Sequence, residues 1–304
     1  MSAGGSTKVI LISLCANFLI AVSKFVGSVI TGSASLLAEA VHSLSDCGNQ
    51  ALLLYGQRLA KKPPTAHYPL GRSKELFFWS FVVALLLFSM GGMFSLYEGL
   101  HKIQHPEPLS YPLVGIGILV VAVGLEGFSF WACYKEVRHQ NHFGSLWQWI
   151  RQTTSADLLV IFLEDAAALF GLLFALCALS LTWITGNPLF DAIGSCAIGV
   201  LLLIVAVILA REVKQMLIGQ MPSIDYRDKL DALLVTMMPG ARLIKLIALQ
   251  QGVDAILIAY KIHPGDMAQD VHTAIAKVNA FEDAVKTAYP EIKWQFAELD
   301  VKDD

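Results

Sequence analysis

The chain has 304 residues, 55% of them hydrophobic and only 15% charged, with a formal net charge of −3. A mean hydropathy of +0.58 excludes an ordinary soluble domain and points to an integral membrane protein. The negative balance argues against nucleic acid as a partner.

The N-terminus is short and polar before Lys8. The apolar run that follows is longer than a signal-peptide core and shows no cleavage site, so it is read as a retained span. A spanning helix needs about 20 mostly apolar residues. Six stretches qualify: 9–30, 33–59, 76–100, 113–134, 158–179 and 190–209. The second is the least hydrophobic. Only "TGS" joins it to the first, which predicts a tight helical hairpin. "TWITGNP" joins the fifth and sixth, with Gly186 and Pro188 as breakers.

Basic residues orient these spans. Arg58, Lys61, Lys62, Arg72 and Lys74 follow the second, Lys135, Arg138 and Arg151 the fourth, and Arg211 and Lys214 the sixth. The links on the opposite side carry only Lys102. The positive-inside rule therefore places both termini in the cytoplasm. Cys15, Cys47, Cys133, Cys177 and Cys196 all fall in apolar stretches without a CxxC pair, which reads as reduced, structural thiols.

Composition changes after Gly219, and the chain divides into a membrane domain, 1–215, and a cytoplasmic domain, 216–304. In the second part "PSIDYRDKLDALLVTM" predicts an amphipathic helix, "RLIKLIALQQG" and "AILIAYKIHPG" two strands, and "MAQDVHTAIAKVNAFEDAVKTAYPE" a long helix. "IKWQFAELDV" predicts a third strand, with Ile292, Trp294 and Phe296 alternating against polar neighbours and assigned to the domain core. The order αββαβ predicts a small α+β sandwich.

The second span, "AEAVHSLSDCGNQALLLYG" at its centre, carries Glu39, His42, Asp46 and Asn49 in apolar surroundings. His42 and Asp46 are four apart and share one helical face. An ionisable group inside a span costs at least about 2.5 kcal/mol and faces a bundle interior or an aqueous cavity. The fifth span, "ADLLVIFLEDAAALFGLLFA", adds the adjacent acids Glu164 and Asp165, which point about 100° apart, so one can face the second span while the other faces a neighbour. Imidazole and carboxylates are ordinary ligands of a divalent first-row metal, and a buried cation would neutralise acids that are otherwise expensive. A purely structural hydrogen-bonded network is the alternative. Asn17, Lys24, Glu39, Asn49, Glu126 and Asp191 are further polar groups that could line a pathway or bond between helices, and Lys24 and Glu39 could form an ion pair.

Several segments together resemble the cation diffusion facilitator family, the proton-coupled exporters of zinc and related metals. "TGSASLLAEAVHSLSDCGNQALLLYG" resembles the family's second span, with His42 and Asp46 in its HxxxD pattern; "HYPLGRSKELFFWS" resembles its HPxGxGKxE loop; "FSLYEGLHKIQHPEPL" resembles the end of its third span. "KIHPGDM" and "YPEIKWQFAELD" are similar to its cytoplasmic ferredoxin-like domain. The resemblance implies six transmembrane helices plus that α+β domain, a homodimer joined through it, and a multi-pass location in the cell (inner) membrane. It implies export of a divalent cation in exchange for protons, with no enzymatic reaction and no resident cofactor. The family's fifth span usually repeats HxxxD. Here the histidine position holds Ile161 if Asp165 is the acid and Val160 if Glu164 is, which resembles a branch with an acidic pair. The implied metal ligands are His42, Asp46, Glu164 and Asp165. One nitrogen among hard oxygens suits zinc and admits manganese, iron or cobalt better than a two-histidine site would.

The remaining candidates are weaker. His67 matches the first position of a second metal site found in some relatives, but Gly71 and Arg72 stand where its partner belongs. Lys74 and Glu75 are assigned to lipid headgroups or neighbouring loops. His263, Asp266, His272, Glu298 and Asp300 are available in the cytoplasmic domain, and His101, His105, His139 and His142 near membrane boundaries are assigned no metal. Two other function classes compete: a membrane metal sensor or scaffold that binds without transporting, and a membrane-embedded enzyme, against which the lack of a nucleophile or nucleotide motif speaks.

Overall fold

The computed structural model describes residues 3–140, 144–222, 225–253, 255–265 and 271–301, with side chains from residue 17 onward except that of residue 140. The Cys15 side chain, His142 and Asp266 lie outside the described residues. The chain divides into two compact units: Met1–Gln57, Phe78–Arg151 and Ala156–Lys214 form one, and Arg58–Phe77, Gln152–Ser155 and Gln215–Asp304 the other.

Among the described residues the first unit is built of helices and short links. Its elements are α1 (Ala3–Thr31), α2 (Ala34–Ala60), α3 (Glu75–Leu86), a π-helical segment (Leu87–Met93), α4 (Phe94–Gln104), α5 (Pro112–Gln140), α6 (Leu146–Gln152), α7 (Ala156–Thr185) and α8 (Leu189–Ile218). The α3–π–α4 rod, α5, α7 and α8 are long and apolar enough to cross a membrane, and Asn17–Thr31 of α1 forms a shorter apolar helix. α2 is as long as its neighbours, but its polar residues keep it out of that apolar set.

Two features within the helices differ from the sequence expectation. The third span is interrupted by the π-helical turn, which contains the pair Gly91 and Gly92. Such turns form where the i→i−4 ladder is locally weak. Beyond the turn, glycines on α4 and α8 let those helices approach closely: a Cβ added at Gly99 would stand 2.5 Å from Cys196 Sγ and 2.8 Å from Ala192 O on α8, and one at Gly199 only 2.7 Å from Leu96 N. Ser195 Oγ donates to Ser95 O across the same seam at 2.8 Å. Small residues replace the hydrophobic drive that lipid cannot supply between helices. The second feature is α6, a short helix whose Trp149 and Ile150 are buried, with the Trp149 ring edge-on to Phe162 of α7.

The N-terminus of α2 is held from another helix. Ser33 caps it in the ordinary way, its Oγ accepting from Leu36 N at 3.1 Å. Asp191 of α8 then accepts from Ala34 N at 2.5 Å, Ser33 Oγ at 2.6 Å and both the backbone and hydroxyl of Ser35. A buried carboxylate is stable there because it faces the positive end of the helix dipole and otherwise orphaned N–H groups. Asp191 thus bonds between helices, one of the two roles expected of it.

In the second unit α9 (Tyr226–Met237), β1 (Arg242–Gly252), β2 (Ala255–His263), α10 (Val271–Ala288) and β3 (Ile292–Leu299) follow the expected order. The sheet runs β1-β2-β3, with β1 antiparallel and β3 parallel to β2. Ile256, Ile258, Tyr260 and Ile262 of β2 alternate inward and pack with Leu230, Leu234, Phe281 and Val285. β3 corrects one expectation. Its register slips between Ile292 and Trp294, so Gln295 and Ala297 turn toward the helices, Gln295 Nε2 reaching Glu282 O at 2.7 Å. Phe296 is left 57% exposed and Trp294 half-buried, neither in the core, because one extra residue in a strand flips every side chain beyond it.

Candidate functional site

α2 presents its polar residues on one face. Glu39, His42, Asp46 and Asn49 are spaced three, four and three apart, which stacks them along neighbouring turns. Glu39, His42 and Asn49 are completely buried. His42 Nδ1 lies 3.6 Å from Asp46 Oδ1, close enough to converge but too far for a hydrogen bond.

The facing helix is α7, and it meets α2 through side-chain hydrogen bonds at two levels. Gln57 Nε2 donates to Asp157 Oδ2 at 3.1 Å, and Asn49 Nδ2 donates to Glu164 Oε1 at 2.6 Å. Ala167, Ala168 and Gly171 are all buried on α7, and Gly171 lies directly against the Glu39 side chain of α2. The acidic pair therefore splits. Glu164 is buried and turned to α2. Asp165, only half-buried, accepts from Ser129 Oγ of α5 at 3.2 Å. Val160, one turn before Glu164, is fully buried, whereas Ile161, one turn before Asp165, is 38% exposed.

Several atoms of this constellation are buried without a hydrogen-bonding partner among the described residues: both ring nitrogens of His42, Asp46 Oδ1, Asn49 Oδ1 and Glu39 Oε1. Each such atom costs about 1–3 kcal/mol where nothing answers it. A structural network would have paired them, so their clustering on one face fits groups whose partner is a small ion or water. The chemistry of the set, one imidazole and several carboxylate or amide oxygens, fits a divalent cation. Among the described residues no three His, Cys, Asp or Glu groups are gathered closely enough to enclose an ion as they stand. The histidine–acid pair on α2 and the acid on α7 would have to close on the ion through helix movement.

Asn49 takes the second of its two expected roles, a bond between helices, and the partner it holds is Glu164. Its spacing from Asp46, three residues on the same face, was the available clue. Lys24 and Glu39 do form the anticipated ion pair, at 3.3 Å and with both side chains unexposed.

The other candidates are placed elsewhere or otherwise engaged. Arg72 binds Glu75 and stacks over Tyr68 at 4.8 Å, and the His67 ring stands edge-on to Tyr68. Lys74 Nζ reaches Leu217 O at 3.3 Å, so that pair of residues serves the protein's own structure. In the sheet domain Glu298 and Asp300 are taken by Lys261, at 3.6 and 3.0 Å. The bond to Asp300, and the charge of Glu298, raise the Lys261 pKa above the ordinary lysine value. His263 Nδ1 accepts from Gly265 N at 3.1 Å and His272 is exposed on α10. His101 and His105 stack on each other, ring centres 4.9 Å apart. The described cysteines, Cys47, Cys133, Cys177 and Cys196, are free.

Comparison with known proteins bears on this arrangement. Residues 10–218 match the family described as the cation efflux transmembrane domain. The mitochondrial proton-coupled zinc antiporter SLC30A9 of Xenopus laevis is 34% identical over 232 residues, 76% of this chain and 42% of that protein. Metal tolerance protein C4 of Arabidopsis thaliana is 31% identical over 221 residues, 71% of this chain and 48% of its own. The magnetosome protein MamM of Magnetospirillum gryphiswaldense is 33% identical over 109 residues, 34% of each chain. The chain thus spans less than half the length of each of these relatives.

Proposed function

This chain belongs to the cation efflux family, the cation diffusion facilitators, and on that premise we propose that it carries a divalent metal cation, zinc in preference, across its membrane in exchange for protons. The family is one of transporters and not of enzymes, and the chain is an integral membrane protein. The observation that carries the proposal is the buried face of α2, where both ring nitrogens of His42 and Asp46 Oδ1 have no hydrogen-bonding partner among the described residues, with Glu164 held toward the same helix by Asn49.

The proposed ligands are His42, Asp46 and Glu164, with Asp165 an adjacent acid held toward α5. A metal needs neutral imidazole and ionised carboxylates, so protons and metal compete for the same atoms. With the site open to the cytoplasm, metal displaces protons. With it open to the other side, protons displace metal. Moving α2 against α7 exchanges the two states, and the proton gradient supplies the direction. Zinc is preferred because the set keeps one imidazole, and because relatives are named as zinc antiporters. Six spans with both termini cytoplasmic, residence in the cell membrane, and pairing of two chains through residues 216–304 complete the proposal.

The test is uptake of zinc, manganese, iron and cobalt by purified protein in vesicles with an acidic lumen. Zinc uptake that grows with the imposed pH difference is the expected result. Zinc that binds without crossing would make the protein a sensor or scaffold, and flux indifferent to pH would remove the proton coupling.

A further inference from the structure

Glu39 belongs to the same polar face as His42 and Asp46, yet nothing in the ligand set above uses it. By helical rise it lies about 4.5 Å nearer the α2 N-terminus than His42. Its Oε2 accepts from Lys24 Nζ of α1 at 3.3 Å, and Lys24 also donates to Ser43 Oγ at 2.7 Å. Its Oε1 is buried without a partner among the described residues. That oxygen rests on Gly171 of α7, where an added Cβ would overlap it.

A buried ion pair is a poor fastener. Desolvation offsets most of the attraction unless the remaining lone pairs are satisfied, and an apolar pair of the same size often holds two helices better. This pair leaves one carboxylate oxygen open. What it does that an apolar pair cannot is keep a charge-balanced carboxylate on the polar face of α2, one turn from His42. Beyond Glu39 the hydrogen bonds thicken at the α1–α2 turn: Asp191 caps α2, Ser110 N donates to Thr31 O at 2.9 Å, and Lys102 Nζ donates to Gly32 O. Glu39 is thus the last acid on that face of α2 before its capped N-terminus.

We propose that Glu39 is a second, transit site for the transported divalent cation, and that Lys24 is a tethered counter-ion that occupies it between cargo ions. The cation passing from His42 and Asp46 meets the open Oε1 and displaces the ammonium from Oε2. Lys24 keeps its bond to Ser43 while displaced. Its returning charge repels the cargo and favours release, so the site is vacated instead of becoming a trap. The proposal rests on the reading of His42 and Asp46 as cargo ligands.

The experiment is zinc titration of the purified full-length protein by calorimetry, with zinc flux measured in vesicles on the same preparations. Lys24→Met should bind one more zinc per chain than wild type, lose that extra ion again in Lys24→Met/Glu39→Gln, and transport at least tenfold more slowly because cargo is retained. A monodisperse Lys24→Met protein with wild-type stoichiometry would overturn the proposal. Gly171→Ala, which crowds Oε1 and leaves every charge in place, is the second variant. It should slow flux several-fold with zinc affinity unchanged, and wild-type flux would count equally against the transit site. Asp46→Ala separates the two readings: zinc binding in that variant equal to wild type would sink the primary site, whatever Lys24→Met shows.

Discussion

Replacing Val160 by histidine tests which acid of the α7 pair serves the cargo. Val160 is fully buried one turn before Glu164, and Glu164 is fixed toward α2 by Asn49 at 2.6 Å. Residues four apart on a helix hold their Cβ atoms about 5–6 Å apart, so an imidazole at 160 comes within reach of the same ion as Glu164. The larger ring should cost about 1–3 kcal/mol of overpacking, a loss a domain of ordinary stability survives. In return the ligand set acquires a second nitrogen, which favours zinc and cobalt over manganese along the Irving–Williams order. If the nitrogen is worth about 1.4 kcal/mol more to zinc than to manganese, the preference ratio rises tenfold. Competition between zinc and manganese for vesicle uptake reads that ratio directly. Ile161→His is the matched control. Ile161 is 38% exposed, on the side of Asp165, and the ratio there should not move. A shift at 161 without one at 160 would refute the assignment of Glu164, and no shift at either would mean that neither position faces the ion.

Asn49→Ala removes the donor that holds Glu164, a loss of about 1–3 kcal/mol of positioning; zinc flux should fall several-fold, and unchanged flux would show that Glu164 needs no such support. Asp191→Ala uncaps α2, and with about 0.5–2 kcal/mol at stake the thermal midpoint in detergent should drop, less so for Asp191→Asn; an unchanged midpoint would remove the cap from the account. Lys261 has a folded pKa above its unfolded one, so its pairing with Asp300 and Glu298 stabilises fully below the unfolded value of about 10.4 and fades as pH rises through the folded value. The stability difference between wild type and Lys261→Met should accordingly be present at neutral pH and vanish in strong alkali, and a difference that persists there would assign the effect to packing of the lysine stem.

The parts of this structure legible in the sequence are those set by composition and period. Apolar length located the helices, although α8 runs to Ile218, nine residues past its expected end, because helix propensity continues after the membrane-like composition stops. Period-2 alternation and the long amphipathic helix placed the αββαβ order of the sheet domain. Local irregularities stayed hidden. A seven-residue helix such as α6 is too short for a periodic pattern, and a single-residue register slip in β3 is invisible to alternation, which points Phe296 into a core it does not enter. At the site, residue types and the His42–Asp46 spacing were readable. The split of Glu164 from Asp165 was not, because adjacent positions on a helix are equivalent until the neighbouring helices are known. Asn49 settles it by bonding one of them.

The central claim is that the buried face of α2 handles the cargo chemically. Asp46 has one buried oxygen beside His42 that finds no hydrogen-bonding partner among the described residues. Zinc uptake by vesicles containing Asp46→Ala, matched to wild type for protein content and oligomeric state, measures it most directly. The account predicts that uptake falls to the level of protein-free vesicles, and wild-type uptake by the variant would contradict it.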